Sequence, residues 1–149
     1  MASPATRIDP FTVGHFLVNI DGVAASAFSE VSGLEAAIDV VDYRAGNSNL
    51  SAEQKLPGLT RYSNIVLKRG LTADLSLWTW FNSIVNGNLV RKDIAITLLD
   101  ATEKPLLTWR IHKAWPSRWT GPVLNAASSE IAIESLEIVH EGLDLVSVS

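Results

Sequence analysis

The chain of 149 residues is 47% apolar and 19% charged, the composition of a folded domain rather than a disordered segment, and it is long enough to bury a core of its own. It has no cysteine, which excludes disulfide scaffolds, thiol catalysis and Cys-ligated zinc. Its 12 basic and 16 acidic residues give a net charge of −4 with no basic stretch beyond two residues, which argues against wrapping nucleic acid or docking on anionic lipid.

No apolar run approaches the roughly 18–20 residues of a membrane helix. Residues 1–10, with Arg7, Asp9 and Pro10, lack the apolar centre of a signal peptide. The expectation is a single domain over 1–149 with a flexible N-terminal arm (1–10), made in the cytoplasm and not inserted in a membrane. Five tryptophans are many for this length and hint at more surface to bury than one core uses.

The first strand signal is Phe16-Leu17-Val18-Asn19-Ile20, and Asp21-Gly22 after it reads as a hairpin turn, with 23–31 returning weakly patterned. Ser32-Gly33 breaks the chain. Over 35–45, Ala36, Ile38 and Val40 alternate with Glu35, Asp39 and Tyr43. Residues 46–60 read as a long connection, flexible at Gly46-Asn47-Ser48-Asn49 and apolar at Leu56-Pro57-Gly58-Leu59, with Pro57-Gly58 suited to a type II turn. Residues 61–69 read as a strand, Ile65 and Leu67 on one face and Tyr62, Asn64 and Val66 on the other.

A helix is predicted over 72–86. Thr72 is its N-cap, Asp74 lies in its first turn, and Gly87 ends it in the left-handed conformation. Leu71, Leu75, Trp78, Asn82 and Val85 follow helical spacing, and Leu77, Phe81 and Ile84 widen the stripe. Ile94, Ile96 and Leu98 then alternate as a strand, a turn covers 100–105, and Leu107, Trp109 and Ile111 alternate as another that Trp115-Pro116 should end. Residues 117–129 are loop-like or hold a short strand. The last strand, 130–140, changes phase: Ile131 and Ile133 are odd-numbered, Leu136 and Ile138 even, so both faces are buried or a bulge lies near Glu134-Ser135. About six to eight strands and one helix suggest antiparallel sheets closed into a barrel or sandwich with the helix over one open side.

Catalytic patterns are missing. There is no nucleophile elbow, zincin motif, Walker loop or dinucleotide fingerprint, and His15, His112 and His140 stand in no ligand spacing. The pairs Glu130/Glu134 and Glu137/Glu141 read as a solvated or lumen-facing acidic face rather than a carboxylate dyad. Lys68-Arg69 is too small for a nucleic-acid patch. The chain is expected not to be an enzyme and to need no cofactor or metal.

The segment Gln54-Lys55-Leu56-Pro57-Gly58-Leu59-Thr60-Arg61-Tyr62-Ser63-Asn64-Ile65-Val66-Leu67-Lys68-Arg69-Gly70 resembles the signature of tail tube proteins from contractile phage tails, roughly K-L-P-G-x-x-K/R-Y-x-N-I-x-L-K-R-G. Phe28-Ser29-Glu30-Val31-Ser32-Gly33-Leu34 resembles that family's F-x-E-V-S-G-L, and Leu77-Trp78-Thr79-Trp80-Phe81 its helix core. Residues 114–119 and 134–142 resemble its last third, so the match runs in order from about residue 11 to 145.

The resemblance implies a mainly β subunit with one helix, of the tail-tube fold that the haemolysin-coregulated tube protein of type VI secretion shares. Such subunits form homohexameric rings, stacked into a hollow tube inside a contractile sheath, in phage tails and in extracellular contractile injection systems. The implied partners are copies of the chain, the sheath protein, baseplate or hub and tube-terminating proteins, and a cargo of DNA or protein effector. The resemblance also points to Gly46, Asn47, Lys55, Leu56, Pro57, Gly58 and Leu59 as an inter-ring contact loop. Strands lining a watery lumen should alternate polar and apolar residues, which makes Asp39, Asn64 and Lys68 lumen candidates. The alternatives are a tube-end or baseplate adaptor of the same family, or a soluble ligand-binding β-barrel.

Overall fold

The computed structural model describes residues 9–23, 27–44, 46 and 54–147. Its elements are β1 (Phe16–Ile20), β2 (Phe28–Ser32), β3 (Ala36–Tyr43), β4 (Gln54–Tyr62), β5 (Ile65–Gly70), α1 (Ser76–Val85), β6 (Lys92–Leu99), β7 (Pro105–Thr120), β8 (Ile133–Val139) and β9 (Gly142–Ser147). All pairings are antiparallel. Two sheets share one core and do not close into a barrel. In the first, β1, β6, the front half of β7 and β9 pair side by side; in the second, the back half of β7 continues to β8, β5 and β2.

The strand β7 belongs to both sheets because it bends without ending. Lys113 takes a φ of 54°, its amide donating to the Asp93 carboxylate at 3.1 Å, and the register slips between Pro116 and Arg118. The expected stop at Trp115-Pro116 is therefore a corner. A bulge absorbs the proline's missing N–H, and the chain crosses from one layer to the other. Between the layers lie Val18, Ile20, Ile94, Ile96 and Ile111 from the first, Ile65, Leu67, Leu136 and Ile138 from the second, and Leu77 and Trp80 of α1.

Several expectations need correction. Asp21-Gly22 does turn, with Gly22 at φ 71°, but β1 pairs with β6 and not with the next strand. Residues 61–69 are two strands divided at Ser63-Asn64. The helix begins at Ser76, not residue 72: Thr72 Oγ1 accepts from the Asp74 amide, Asp74 from the Ser76 amide at 3.1 Å, and these two local turns occupy the segment where a first helical turn was expected. Gly87 ends α1 at φ 88° as expected. The last strand is shorter at its front, and β9 follows it.

The phase change near Glu134 has a chemical cause. Ile131 stands outside the strand and is 81% exposed, while Glu134 takes the inward position and is 1% exposed. It is therefore not part of a solvated acidic face. Arg69 Nε donates to its Oε1, and Trp119 Nε1 donates to its Oε2 at 3.2 Å. The Arg69 guanidinium also donates to the backbone oxygen of Asp74 at 3.1 Å and to its carboxylate at 3.3 Å, and lies 5.7 Å from the Phe28 ring centroid. One buried cation thus joins β5, β8, β2 and the entry to α1.

The strands β2 and β3 run outward in sequence, and β4 and β5 return, as one long hairpin. Ser32 faces Val66 and Ala36 faces Tyr62, so the register is kept across the gap. The kink sits at Gly33, whose φ is 91° and where a Cβ would lie 2.1 Å from the Asn64 backbone oxygen. Only glycine fits there.

Three tests follow from this frame. Arg69→Met alone should cost about 3–5 kcal/mol of stability in chemical denaturation, because it strands a buried carboxylate, whereas Arg69→Met with Glu134→Leu should recover most of that loss. Gly33→Ala should cost more than ~1 kcal/mol and alter amide shifts at Asn64. At the β6–β7 turn, the Lys104 amide (2.9 Å) and then the Thr102 hydroxyl (2.7 Å) donate to Asp100 and hold its carboxyl below the usual aspartate range. A lowered folded value means the contribution is complete above the unfolded value of about 3.9 and is lost as pH falls through the folded one. The stability gap between wild type and Asp100→Asn should accordingly shrink in acid unfolding below about pH 4.

Candidate functional site

The expected loop 46–60 is instead, from Gln54 onward, a strand of a two-stranded arm. Pro57 faces Val40, Leu56 faces Val41 and Lys55 faces Asp42. Gly58 is not at a type II turn, since its φ is not positive; a Cβ there would lie 3.0 Å from the Asp39 backbone oxygen, at the register slip between Ile38 and Val40. Glycine is needed for close approach of the two backbones, a signal that the Pro-Gly pair hides. Gly46 is exposed, and Asn47 lies outside the described residues.

Among the described residues of this arm none is buried, and Ile38 (57%), Val40 (66%) and Leu59 (71%) are open to solvent. Its charges pair internally, Asp39 with Arg61 at 2.8 Å and Asp42 with Lys55. Its root is clamped. Ser63 donates its amide to the Glu35 carbonyl, and His140 places Nε2 3.0 Å from the Ser63 carbonyl oxygen and its ring 5.5 Å from that of Tyr62.

The three lumen candidates separate. Asn64 and Lys68 share the outer, polar face of the second sheet, where Asn64 donates to Glu137 at 3.3 Å and Lys68 pairs with Glu30 at 3.2 Å. Asp39 lies on the arm.

The helix turns the wrong stripe outward. Leu77 and Trp80 are buried, with Phe81 packed against the core, whereas Leu71, Leu75, Trp78 and Val85 are exposed. Trp78 rests on Trp119, its ring centroid 5.0 Å away, and on Phe81. Two apolar stripes on one helix are indistinguishable by periodicity alone. Their excess over what one core needs was the available sign.

His112 also serves structure. His112 pairs with Asp144 at 2.7 Å, fastening β9 to β7. Among the described residues no cluster of ligands for a metal ion forms, and no helix is long and apolar enough to cross a membrane. The strand β9 itself escaped the sequence reading, though Leu143 and Leu145, opposite Ile111 and Trp109, carry its alternation.

The family model of the T4-like virus tail tube protein gp19 matches residues 13–144. A chain from the sheath–tube complex of an extracellular contractile injection system, PVC, in its extended state is 30% identical, with 93% of each chain covered and a TM-score of 0.83. A chain from the tube-terminating cap of the anti-feeding prophage is 28% identical over 98% of this chain and 97% of that one, with a TM-score of 0.85. Hcp1 from Flavobacterium johnsoniae shares the fold at 15% identity, covering 89% of this chain and 95% of its own, with a TM-score of 0.58. No curated protein sequence matches. The matching family and fold are those of structural tube proteins and not of enzymes, and the chain is a component of a phage tail or contractile injection particle. It belongs to the T4-like virus tail tube protein gp19 family.

Proposed function

We propose that the chain is the repeating subunit of an inner tube: homohexameric rings, assembled in the bacterial cytoplasm, stack into a conduit inside a sheath and on a baseplate. DNA or a protein effector passes through it. The observation that carries this reading is the arm, a hairpin that leaves its own fold with apolar side chains open to solvent. Solvent-exposed strands of this kind need a partner to offset their ordering and to cover their edges. In this reading residues 46–59 serve as the contact between rings, through the arm rather than through a loop. Asn64 and Lys68, on a charge-paired and water-compatible sheet face, line the lumen.

A second reading is favoured by the likeness to the tube-terminating cap: a member of the same family that ends a tube or adapts it to the baseplate.

Negative-stain microscopy of the purified chain distinguishes these. Stacked rings are expected of a tube subunit and single rings of a cap, and a 16.2 kDa monomer at every concentration would overturn both. Replacing residues 42–56 by a short Gly-Ser turn should leave rings that no longer stack. Unchanged tubes would remove the arm from the contact.

A further inference from the structure

His140 stands in the turn between β8 and β9, half-buried, and both of its ring nitrogens meet backbone carbonyl oxygens. Nδ1 lies 3.1 Å from the oxygen of Gly142, where β9 begins. Nε2 lies 3.0 Å from the oxygen of Ser63, at the root of the arm and 77 residues earlier in the chain. A carbonyl oxygen only accepts. A neutral imidazole has a single N–H and donates to one of the two, while its other nitrogen turns a lone pair toward a lone pair. The charged ring has an N–H on each nitrogen and donates to both.

The charged and titratable groups around the ring have other partners. In its own turn Glu141 lies 3.7 Å from Lys113 of β7, and on β8 Glu137 accepts from Asn64. On β4 Arg61 pairs with Asp39, and on β9 Asp144 pairs with His112. Tyr62 presents its ring, and Glu35, whose backbone carbonyl accepts the Ser63 amide at 3.2 Å, is exposed. Among the described residues no carboxylate pairs with His140. What a proton on this ring adds is therefore the second carbonyl.

We propose that His140 is a proton-operated clamp on the root of the arm. The charged ring ties Ser63 to the start of β9. The neutral ring keeps one tie, and the local one is the cheaper to keep: Gly142 is two residues away and closes the ring's own turn, whereas the Ser63 tie joins separate elements. Loss of a proton accordingly releases Ser63. The joint affected is the one where the long hairpin passes from sheet to arm, held on its other side by the bond from the Ser63 amide to Glu35. The clamp is complete in the acid form and opens as pH rises through the titration of the ring. It acts within one subunit, whatever the arm itself touches.

Two measurements test this, and both apply to free subunits and to assemblies. Solid-state spectra of protein labelled with nitrogen-15 in histidine separate a ring with two N–H groups from a ring with one. Amide exchange read by mass spectrometry, corrected for the intrinsic pH dependence of exchange, reports the joint at Ser63. Between about pH 8 and about pH 5.5, the range in which histidines change charge, protection over Ser63 should rise about fivefold as the His140 ring gains its second N–H, the size expected of one hydrogen bond. The rise should persist in His15→Gln and His112→Gln, which also assign the ring signals, and vanish in His140→Gln. Wild-type protein whose His140 ring takes up a proton with no change over Ser63 would overturn the clamp, whether or not His140→Gln folds. An equal rise in folded His140→Gln would overturn it too, as would a ring that keeps a single N–H down to about pH 5.5.

Discussion

The architecture turns on a charge placed where an aliphatic side chain would ordinarily sit. Arg69 and Glu134, both inward-facing and 2% exposed at their side chains, pair inside the second sheet. Removing two ions from water costs several kcal/mol each, and that cost is offset only when the remaining donors and acceptors are also met. Trp119 from β7 and the carbonyl and carboxylate of Asp74 meet them. A pair of leucines would fill the same space but would hold none of these elements in a fixed orientation. Through Asp74 the ion pair is tied to the place where the chain enters α1.

That dependence explains what could be read from the residues and what could not. Strands with clean alternation, such as β6 and the front of β7, followed directly from period-two burial. The region around Glu134 did not, because hydrophobic pattern assumes that charge points outward. The helix failed for the complementary reason. Both of its stripes are apolar, and Arg69, which bonds Asp74 at the entry to the helix, is itself held by Glu134 65 residues further on, a contact that spacing does not encode. Pro57-Gly58 looked like a turn because those residues usually are one. Here glycine serves close backbone approach within a paired strand, and proline sits on an exposed arm strand, where a missing donor costs little.

The signature segments acquire a mechanical meaning in the fold. Gly33 lies in one, Phe28 to Leu34, and Asn64 in the other, Gln54 to Gly70; they meet at the kink where the long hairpin passes from sheet to arm. The same two strands therefore carry out two tasks. Their inner halves bury Leu67 and Ile65 in the core, and their outer halves place Ile38, Val40 and Leu59 in solvent. Because the register is unbroken across the kink, any slip that moved a core residue would also turn the arm over, exchanging its two faces. Core packing and arm presentation are set by one ladder.

The arm and the exposed stripe of α1 share one further property, the lack of net charge. Association between charged patches is steered at long range and weakens as salt is raised; association between uncharged apolar patches depends on the area removed from water and is nearly indifferent to salt. Other charges stand on the polar face of the second sheet and at the β6–β7 turn, where they are paired or hydrogen-bonded within the subunit. The arm's two ion pairs cancel the charge of four residues among its exposed apolar side chains, so the arm presents apolar surface without net charge.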